Sequence, residues 1–407
     1  MSQTMVIIGA NLAGGVAAIT LRDEGFAGRV VLIGAEPHPP YERPPLSKKY
    51  LAGEKLLEEI TLRPAAYYAE RNIETRLGVR ARRVDPQAKV VELENGERIP
   101  YDKVLIATGV RNRKLPVPGA DLPSIYDLRA VADADVIRQE CVAGRKAVLV
   151  GMGFIGSEVA ATLRQLGVEV AVVEPLKLPL AHILGEDVGR VFESFHRENG
   201  VQMYFEELAV RFEGNGRVER VITRSGRQLA CDFVVVGVGV EPVTEVVAGT
   251  GVKLDNGIVV DEYCQTNIEG IYAAGDVARH YHPLIRRHIR VEHYQNAISQ
   301  GQAAARNMLG QQQPYAEVHW FWSDQYDYNI QYAGFHGEWD KFVVRGSLGQ
   351  RNFVGFYLKD QRIGAAVALN RPKDLRLTMP LIQAKTQVEV KDLEDEAVKL
   401  RSLLSPG

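Results

Sequence analysis

The feature that most constrains this chain is a pattern of apolar strand, glycine-rich turn, helix and second strand that occurs twice. The first copy covers residues 5–36 and the second covers residues 147–174, and in each copy the second strand ends in an acid. Continuous apolar strands of this kind suit a parallel sheet that is covered on both faces. The repeat therefore predicts two βαβ units of a dinucleotide-binding fold.

The spacing of the glycines gives each turn a defined task. In such a unit the first glycine makes the tight turn, the second lets the backbone approach a pyrophosphate, and the third lets the helix pack closely on the strand. The glycines that occupy these positions are Gly9 and Gly14 in the first copy and Gly151, Gly153 and Gly156 in the second. Two copies in full βαβ context are much stronger evidence for nucleotide binding than a single glycine motif.

Each copy also carries the acid that accepts hydrogen bonds from ribose hydroxyls. Glu36 lies 22 residues after Gly14, and Glu174 lies 18 residues after Gly156. The first copy departs from the pattern because Asn11 stands where the second glycine belongs. Asn is the residue next best able to adopt a left-handed backbone, so we expect the turn to survive at this position. The effect of its side chain on pyrophosphate binding is left open.

The remaining segments predict the domain organisation. Apolar strands are expected at 103–109, 233–239 and 271–276, with hairpin turns at Asn95-Gly96 and Ser225-Gly226. After Pro314, clustered aromatic residues and β-like alternation run to about Leu369, and a charged helical tail follows. We predict an α/β protein with two Rossmann-like domains, arranged as in glutathione reductase, and a C-terminal α+β domain. The expected boundaries are 1–111 with 244–316, 112–243, and 317–407.

Composition excludes several classes of function. The net charge of −2 provides no global field for holding DNA or an acidic membrane, so neither is expected as a partner. No apolar run approaches the roughly 18 residues of a membrane span, and the first residues lack a signal-peptide pattern, so a cytoplasmic location is expected. The three cysteines lie far apart without metal-ligand spacing. Neither a disulfide framework, a paired-thiol redox centre nor a metal site is expected.

Five segments resemble the FAD-dependent ferredoxin reductases that serve bacterial oxygenases, the putidaredoxin reductase and biphenyl dioxygenase reductase group. The likeness covers nearly the whole chain, and its first and last segments discriminate most. The segments are Tyr41-Glu-Arg-Pro-Pro-Leu-Ser-Lys48, Ile106-Ala-Thr-Gly109, Tyr272-Ala-Ala-Gly-Asp276, Glu292-His-Tyr-Gln-Asn296 and Trp320-Phe-Trp-Ser-Asp-Gln325. Membership implies transfer of hydride from NADH to FAD, followed by single-electron transfer to an iron–sulfur protein.

The resemblance also assigns residues to each cofactor. It places FAD on Gly9, Ala13, Gly14, Glu36, Arg43, Lys48, Ala81, Thr108, Gly109, Arg129, Gly275, Asp276, Glu292, Tyr294 and Trp322. It places NADH on Gly151, Gly153, Ile155, Gly156, Glu158, Glu174 and Gly239. NADH is favoured over NADPH because Glu174 repels a 2′-phosphate, although the nearby Lys177 leaves some tolerance for NADPH.

Three residues are the catalytic candidates that the resemblance implies. Lys48 and Glu158 resemble the family's ion pair beside the flavin, in which a fixed positive charge stabilises the reduced cofactor. Trp322 is expected against the flavin ring, but Trp320 faces the same side of the strand and the sequence does not separate the two. Core or domain-interface packing is the alternative for both tryptophans.

The electron acceptor is inferred from a missing thiol. In the related peroxidases, oxidases and coenzyme A-disulfide reductases a single cysteine occupies the segment held here by Pro44-Pro-Leu-Ser47, so the thiol chemistry lacks its nucleophile. A [2Fe–2S] ferredoxin is the expected acceptor, with docking candidates Arg279, Arg286, Arg287 and Arg290, and the reductase itself is expected to be a monomer or weak dimer. Alternatives are a rubredoxin reductase, a direct NADH oxidase or quinone reductase, and a flavoprotein of apoptosis-inducing-factor type.

Overall fold

The computed structural model describes residues 3–404 and divides into two compact units. Unit 1 comprises residues 3–42, 57–111 and 240–319, and unit 2 comprises residues 43–56, 112–239 and 320–404. No helix within residues 3–404 combines the length and the apolar character that a membrane span needs.

Unit 1 is built on a five-stranded parallel sheet that contains the first glycine turn. The strand order is Ile271–Ala273, Lys103–Ile106, Thr4–Ile8, Arg29–Gly34 and Ile73–Leu77. Side chains alternate between two cores: Met5 and Ile7 pack with the helices on one face, whereas Val6 and Ile8 pack on the other. Both faces are covered, which is why the strands read as continuous apolar runs.

Two helices rich in small residues cover one face of this sheet. The helix that follows the glycine turn, Leu12–Asp23, packs against Tyr294–Met308. A Cβ on Gly301 would lie 2.5 Å from the carbonyl oxygen of Ala13, so the two backbones approach as closely as glycine allows. This contact fixes the turn against the second helix.

The other elements of unit 1 are two three-stranded sheets, one two-stranded sheet and short helical segments. One sheet contains Ala81–Asp85, Val90–Leu93 and Arg98–Pro100, and the other contains Ile258–Val260, Ala278–His282 and Arg287–Arg290. The helical segments are Leu57–Ile60, Ala65–Glu70, Glu245–Val247 and Gly275–Val277. Val110–Asn112 and Val240–Pro242 form a two-stranded sheet.

Unit 2 repeats the parallel-sheet plan around the second glycine turn. Its strand order is Gln202–Phe205, Glu169–Glu174, Lys146–Val150, Phe233–Val236 and Ile125–Tyr126. The same alternation divides Ala147 and Leu149 from Val148 and Val150 between two cores. The helix Phe154–Gln165 starts at the turn.

Unit 2 also contains the aromatic-rich C-terminal segment, which forms an antiparallel sheet. Its five strands, in spatial order, are Trp320–Gln325, Tyr328–Gly334, Arg362–Leu369, Asn352–Lys359 and Lys341–Ser347. The remaining strands are Ala209–Glu213, Arg220–Thr223 and Gln228–Ala230, and the remaining helical segments are Pro44–Ser47, Val131–Glu140, Ala181–Glu198, Pro372–Ala384, Val390–Glu394 and Leu400–Leu403. The predicted fold class is confirmed, whereas the predicted three-domain boundaries stay a prediction.

Candidate functional site

The first glycine turn requires glycine at both Gly9 and Gly14. Gly9 has φ +116°, and a Cβ there would lie 2.1 Å from the carbonyl oxygen of Ala107. A Cβ on Gly14 would lie 2.0 Å from the carbonyl oxygen of Gly9. Ala13, between them, contacts Gly301 of the packed helix. The turn therefore holds strand and helix closer together than any side chain permits.

Asn11 does not adopt the left-handed conformation expected for it. Its φ is −104° and its ψ is −163°, which is extended backbone, and it forms the N-cap of the helix Leu12–Asp23. The left-handed residue of the turn is Gly9 instead. The turn survives, as expected. A left-handed asparagine is not what preserves it, because the backbone at this position is extended and suits any residue.

The second turn has the same backbone with more open space. Gly151 has φ +97°, and a Cβ there would lie 2.4 Å from the carbonyl oxygen of Gly237. A Cβ on Gly156 would lie 2.4 Å from the carbonyl oxygen of Gly151, whereas a Cβ on Gly153 would meet nothing within 4 Å. Ile155, one residue from the turn, is 50% exposed. The start of this helix is thus open to a ligand.

The two acids at the ends of the second strands are held differently. Glu36 accepts a hydrogen bond from the buried Tyr41 hydroxyl. Glu174 is buried and accepts hydrogen bonds from the backbone N–H groups of Met152, at 2.6 Å, and Leu176, at 3.0 Å. Glu174 therefore also ties the strand end to the glycine turn.

Unit 1 contains a buried amide group next to the predicted FAD residues Gly275 and Asp276. Gly275 has φ +78° and donates its N–H to Oε1 of Gln300 at 2.8 Å. The Nε2 atom of Gln300, in a side chain with no solvent exposure, has no hydrogen-bond partner among the described residues. A buried donor without a partner is costly, and a bound ligand with acceptor oxygens removes that cost.

The other predicted FAD residues of unit 1 lie in separate local structures. The Thr108 hydroxyl donates to the carbonyl of Val243 at 2.6 Å. Tyr294 donates its hydroxyl to Glu42 at 2.7 Å, and burial raises its pKa. The remaining positions are Gly109 with φ +68°, Ala81 at the start of a strand, and Glu292, which pairs with Arg290 at 2.6 Å.

Unit 2 brings Lys48 and Glu158 together as a largely buried ion pair. Lys48 Nζ lies 2.6 Å from Glu158 Oε2, and the two side chains are 15% and 4% exposed. Two hydroxyl groups also donate hydrogen bonds to the Glu158 carboxylate, that of Ser47 at 2.5 Å and that of Ser323 at 2.6 Å. Every oxygen of the buried acid is thus bonded, which is the condition under which such a charge is tolerated.

Three separate elements build this cluster. Lys48 and Ser47 end the 3-10 helix Pro44–Ser47, Glu158 lies in the first turns of Phe154–Gln165, and Ser323 lies on Trp320–Gln325. Thr162, one turn after Glu158, donates its hydroxyl to the carbonyl of Ser47 at 2.8 Å. Sequence reasoning missed Ser47, Thr162 and Ser323 as partners of the pair. The available signal was that Ser47 and Ser323 adjoin the predicted residues Lys48 and Trp322.

The two tryptophans lie side by side on their strand, as alternation predicts. The rings of Trp320 and Trp322 are 5.8 Å apart and both are partly exposed. Phe321, between them, faces the opposite side and packs edge-on against Phe154 at 4.8 Å.

The other two predicted FAD residues of unit 2 contact each other through the Arg43 guanidinium and the Arg129 carbonyl. Gly239 is exposed with φ +96°.

The predicted docking arginines lie on a hairpin of unit 1 and differ in exposure. Arg286 and Arg287 are exposed, whereas Arg279 pairs with Asp255 at 3.2 Å. The Arg290 side chain is only 10% exposed, pairs with Glu292 and donates to the carbonyl of Asp276 at 3.1 Å. Two of the four arginines therefore reach solvent directly.

The three cysteines carry free thiols that burial keeps protonated. Burial raises the pKa of Cys141 to about 11 and that of Cys231 to about 12. Cys264 has no solvent exposure, and burial raises its pKa as well. A protonated thiol is a poor nucleophile, so these residues are inert in redox exchange.

Two family descriptions match the chain. The pyridine nucleotide-disulphide oxidoreductase family matches residues 3–301, and the reductase C-terminal family matches residues 320–404. The chain belongs to the pyridine nucleotide-disulphide oxidoreductase family. This membership agrees with the two glycine turns, one in each unit.

Individual members of the pyridine nucleotide-disulphide oxidoreductase family resemble the chain over nearly its whole length. Rhodocoxin reductase of Rhodococcus erythropolis is 41% identical and aligns over 91% of this chain and 87% of its own. The ferredoxin–NAD(+) reductase component of the anthranilate 1,2-dioxygenase system of Burkholderia cepacia is 40% identical, over 99% and 100% of the two chains.

A solved structure of a covalent putidaredoxin reductase–putidaredoxin complex has a TM-score of 0.95 and 34% identity, and the match covers 99% of this chain and 98% of that one. The resemblance to reductases of oxygenase systems, stated from sequence segments, is thereby confirmed.

The pyridine nucleotide-disulphide oxidoreductase family implies FAD and NAD(P)H as cofactors. The residues of this chain fit such groups: the open space at Gly153 lies where a pyrophosphate approaches, and the unsatisfied Gln300 amide adjoins Gly275. The family therefore accounts for features that packing alone leaves unexplained.

Proposed function

We propose that this chain is an NADH-dependent reductase that uses FAD to pass electrons to a [2Fe–2S] ferredoxin. That ferredoxin would supply a P450 monooxygenase or a ring-hydroxylating dioxygenase. The observation that carries the proposal is the buried Lys48–Glu158 pair beside Ser47, in the segment where thiol-dependent relatives have cysteine. Relatives named for rhodocoxin, putidaredoxin and a dioxygenase system support this class of acceptor. The cytoplasmic location stays a prediction.

The proposed cofactor residues fall into two groups. FAD would be held by the first glycine turn with Glu36, Gly275 and Asp276, and NADH by the second glycine turn with Glu174. When bound, FAD supplies the conversion between the two-electron chemistry of NADH and single-electron acceptors. The glycine turns supply backbone N–H groups at helix starts, where anions are favoured.

Lys48 contributes a positive charge whose position is fixed. Glu158 holds the ammonium group while Ser47 and Ser323 occupy the remaining acceptor positions of the carboxylate. A charge that is already in place needs no rearrangement when negative charge arrives at a neighbouring group. Glu158 is thus a positioning residue for Lys48, and Lys48 is the residue proposed to act on the cofactor.

The preference for NADH rests on the negative charge of Glu174. Its two oxygens already accept backbone hydrogen bonds, and it lies at the strand end where the ribose hydroxyls of a dinucleotide bind in this fold. A 2′-phosphate at that place would face a carboxylate. The exposed Lys177 is the nearby cation that would soften this repulsion.

The decisive test replaces Lys48 by methionine and compares it with the neighbouring Lys49→Met. Lys49 is exposed, so its replacement serves as a matched control. Stopped-flow absorbance of the purified flavoprotein should show flavin reduction by NADH slowed by roughly 10- to 100-fold in Lys48→Met. Lys49→Met should stay within about twofold, since surface substitutions rarely disturb a buried site.

The same experiment separates the alternatives. Ferredoxin-dependent reduction of cytochrome c with slow oxygen consumption is the result expected for a ferredoxin reductase. Rapid loss of electrons to oxygen or quinone without a carrier protein would instead identify an oxidase or quinone reductase. Equal rates in Lys48→Met and Lys49→Met would remove Lys48 from the mechanism.

The docking part of the proposal concerns Arg286 and Arg287. Both are exposed, and acidic ferredoxins associate faster with a basic surface. Replacing both with glutamate should slow ferredoxin reduction, and the effect should shrink at high salt because exposed charges are screened. Arg82→Glu, at another exposed position of unit 1, is the control for charge alone. A change confined to flavin reduction by NADH would refute this docking surface.

A further inference from the structure

Three buried histidines converge in unit 1, outside the glycine turns. His280, His282 and His319 are 1%, 1% and 4% exposed. One ring nitrogen of each lies within 4.8 Å of the corresponding nitrogens of the other two. The ring centroids are 4.9 to 5.5 Å apart. Burying a polar group without a hydrogen bond is costly, so three buried histidines that face one point call for a chemical explanation.

The backbone explains how the three side chains meet. His280 and His282 lie two residues apart on the strand Ala278–His282, so alternation directs both to the same buried face. His319 comes from the segment that follows the helix Tyr294–Met308. Residues distant in sequence are thus brought to one point by one strand and one loop.

The hydrogen bonds of the three imidazoles agree with a role as metal ligands. His282 Nε2 lies 2.9 Å from the carbonyl oxygen of Glu317, and a carbonyl can only accept, so Nε2 carries the proton and Nδ1 the lone pair. Metal-binding histidines typically donate their second nitrogen to a backbone carbonyl in this way. Neither ring nitrogen of His280 or His319 has a hydrogen-bond partner within the described residues.

Aromatic packing alone does not account for the cluster. Tyr315 packs against His280 and His319, with ring centroids 5.3 and 5.9 Å apart, but its hydroxyl donates to Asn296 and not to either imidazole. The packing of Tyr315 therefore leaves both ring nitrogens of His280 and of His319 without a hydrogen bond to any described residue.

We propose that His280, His282 and His319 form a binding site for a divalent transition metal ion of the Zn²⁺ class. Three imidazoles without a carboxylate favour Zn²⁺ and its neighbours over Mg²⁺ or Ca²⁺, which prefer oxygen ligands. Zn–N bonds of about 2.0 Å place tetrahedral ligand nitrogens about 3.3 Å apart, so the rings close inward by side-chain rotation when the ion binds. Water completes the fourth position.

The role of the site follows from its place in the chain. The ion would fasten the loop before His319 to the strand that carries His280 and His282. Clips that close a loop stabilise a fold by restricting its unfolded state. The proposal does not depend on the reductase function, because all three ligands lie outside the residues assigned to NADH, FAD and the Lys48–Glu158 pair.

The test measures metal binding by the FAD-loaded enzyme without an affinity tag. After treatment with EDTA and removal of the chelator, ZnSO₄ is titrated by calorimetry, and metal content is measured by mass spectrometry. One ion per chain is expected, with thermal unfolding shifted upward by excess Zn²⁺ and unchanged by Mg²⁺. Loss of a ligand in His319→Gln or His280→Gln should weaken binding by roughly 100-fold or more, beyond the 10- to 100-fold cost of disturbing an outer partner.

His288→Gln is the matched control, because His288 lies exposed on the paired strand Arg287–Arg290. It should bind Zn²⁺ like the wild type. Wild-type protein that takes up no Zn²⁺, or equal loss in His288→Gln and His319→Gln, would overturn the site. If His319→Gln fails to fold, the wild type still decides: substituting Co²⁺ should give the visible absorption bands of a tetrahedral nitrogen-ligated ion, and their absence would refute the proposal.

Discussion

The two glycine turns share one backbone but differ at their middle position. In both turns the first glycine is left-handed and lies against a carbonyl oxygen of a neighbouring segment, Ala107 for Gly9 and Gly237 for Gly151. In both turns the middle residue is extended, with φ −104° at Asn11 and −72° at Gly153. The two turns thus differ in residue type only at the middle of their three motif positions.

A glycine motif does not distinguish positions where the fold needs glycine from positions where it does not. Comparing the two turns makes this distinction. At Gly9 and Gly151 glycine is needed because φ is positive and because a carbonyl oxygen leaves no room for a Cβ. At Gly153 neither reason applies to the protein itself, since the backbone is extended and the space is open. The fold itself therefore does not require glycine at the middle position, and the extended Asn11 of unit 1 agrees with this.

The largest effect is expected from Gly9→Ala and Gly151→Ala. In each variant, alanine has to adopt a positive φ and its Cβ clashes with a backbone carbonyl oxygen. Together these effects should lower the unfolding free energy by more than about 3 kcal/mol. Gly9→Ala should be purified without flavin, whereas Gly151→Ala should keep its flavin and lose reduction by NADH. Flavin absorbance relative to protein and urea unfolding measure both outcomes.

Two glycines in exposed turns provide the control for the effect of positive φ without a clash. Gly25 in unit 1 and Gly144 in unit 2 have φ +81° and +83°, and a Cβ at either would meet nothing within 4 Å. Their alanine variants should lose about 1 kcal/mol. If Gly9→Ala were no less stable than Gly25→Ala, the close approach to Ala107 would not be the reason for glycine.

A smaller effect is expected from exchanging the middle residues. Asn11→Gly should change the unfolding free energy by only a few tenths of a kcal/mol, because glycine is nearly as good as asparagine at a helix N-cap. Gly153→Asn should fold normally and raise the KM for NADH by roughly tenfold with kcat unchanged, as expected when binding alone is impaired. Urea unfolding and steady-state kinetics test the pair.

Gly153→Ala gives the graded control, since its single methyl group enters the same space. Its KM should lie between those of the wild type and Gly153→Asn. A loss of stability in Gly153→Asn comparable to that of Gly151→Ala would show that the middle position belongs to the fold after all.

The sequence predicted the parallel sheets because their signals are local. Apolar runs, glycine turns and the acids at strand ends all lie within about 35 residues of one another. The hairpins at Asn95-Gly96 and Ser225-Gly226 are confirmed for the same reason, with Gly96 and Gly226 left-handed. Strand ends were less well predicted: the strand expected at 233–239 stops at Val236, where the backbone leaves the sheet.

Local sequence patterns did not predict the contacts between distant segments. Ser323 lies 165 residues from Glu158, and no spacing rule connects a hydroxyl on a C-terminal strand with an acid on a helix. The pairing of Lys48 with Glu158 came from resemblance alone. Long-range contacts depend on the packing of whole elements, which periodicity does not describe.

The histidines next to the docking candidate Arg279 show how an available signal was missed. His280 and His282 lie two residues apart on the strand that begins at Ala278, so strand alternation places both on the face opposite Arg279. Applied to residues 278–282, period-two reasoning predicts two buried histidines. The third, His319, joins them only through the loop, which the sequence did not reveal.

The protonated state of the three thiols bears on how this protein ages. Peroxide and alkylating reagents attack thiolates, and burial holds Cys141, Cys231 and Cys264 far from that form at neutral pH. Storage without added reductant should therefore leave its thiols intact, so slow inactivation, where it occurs, begins at other side chains or with the release of the cofactor.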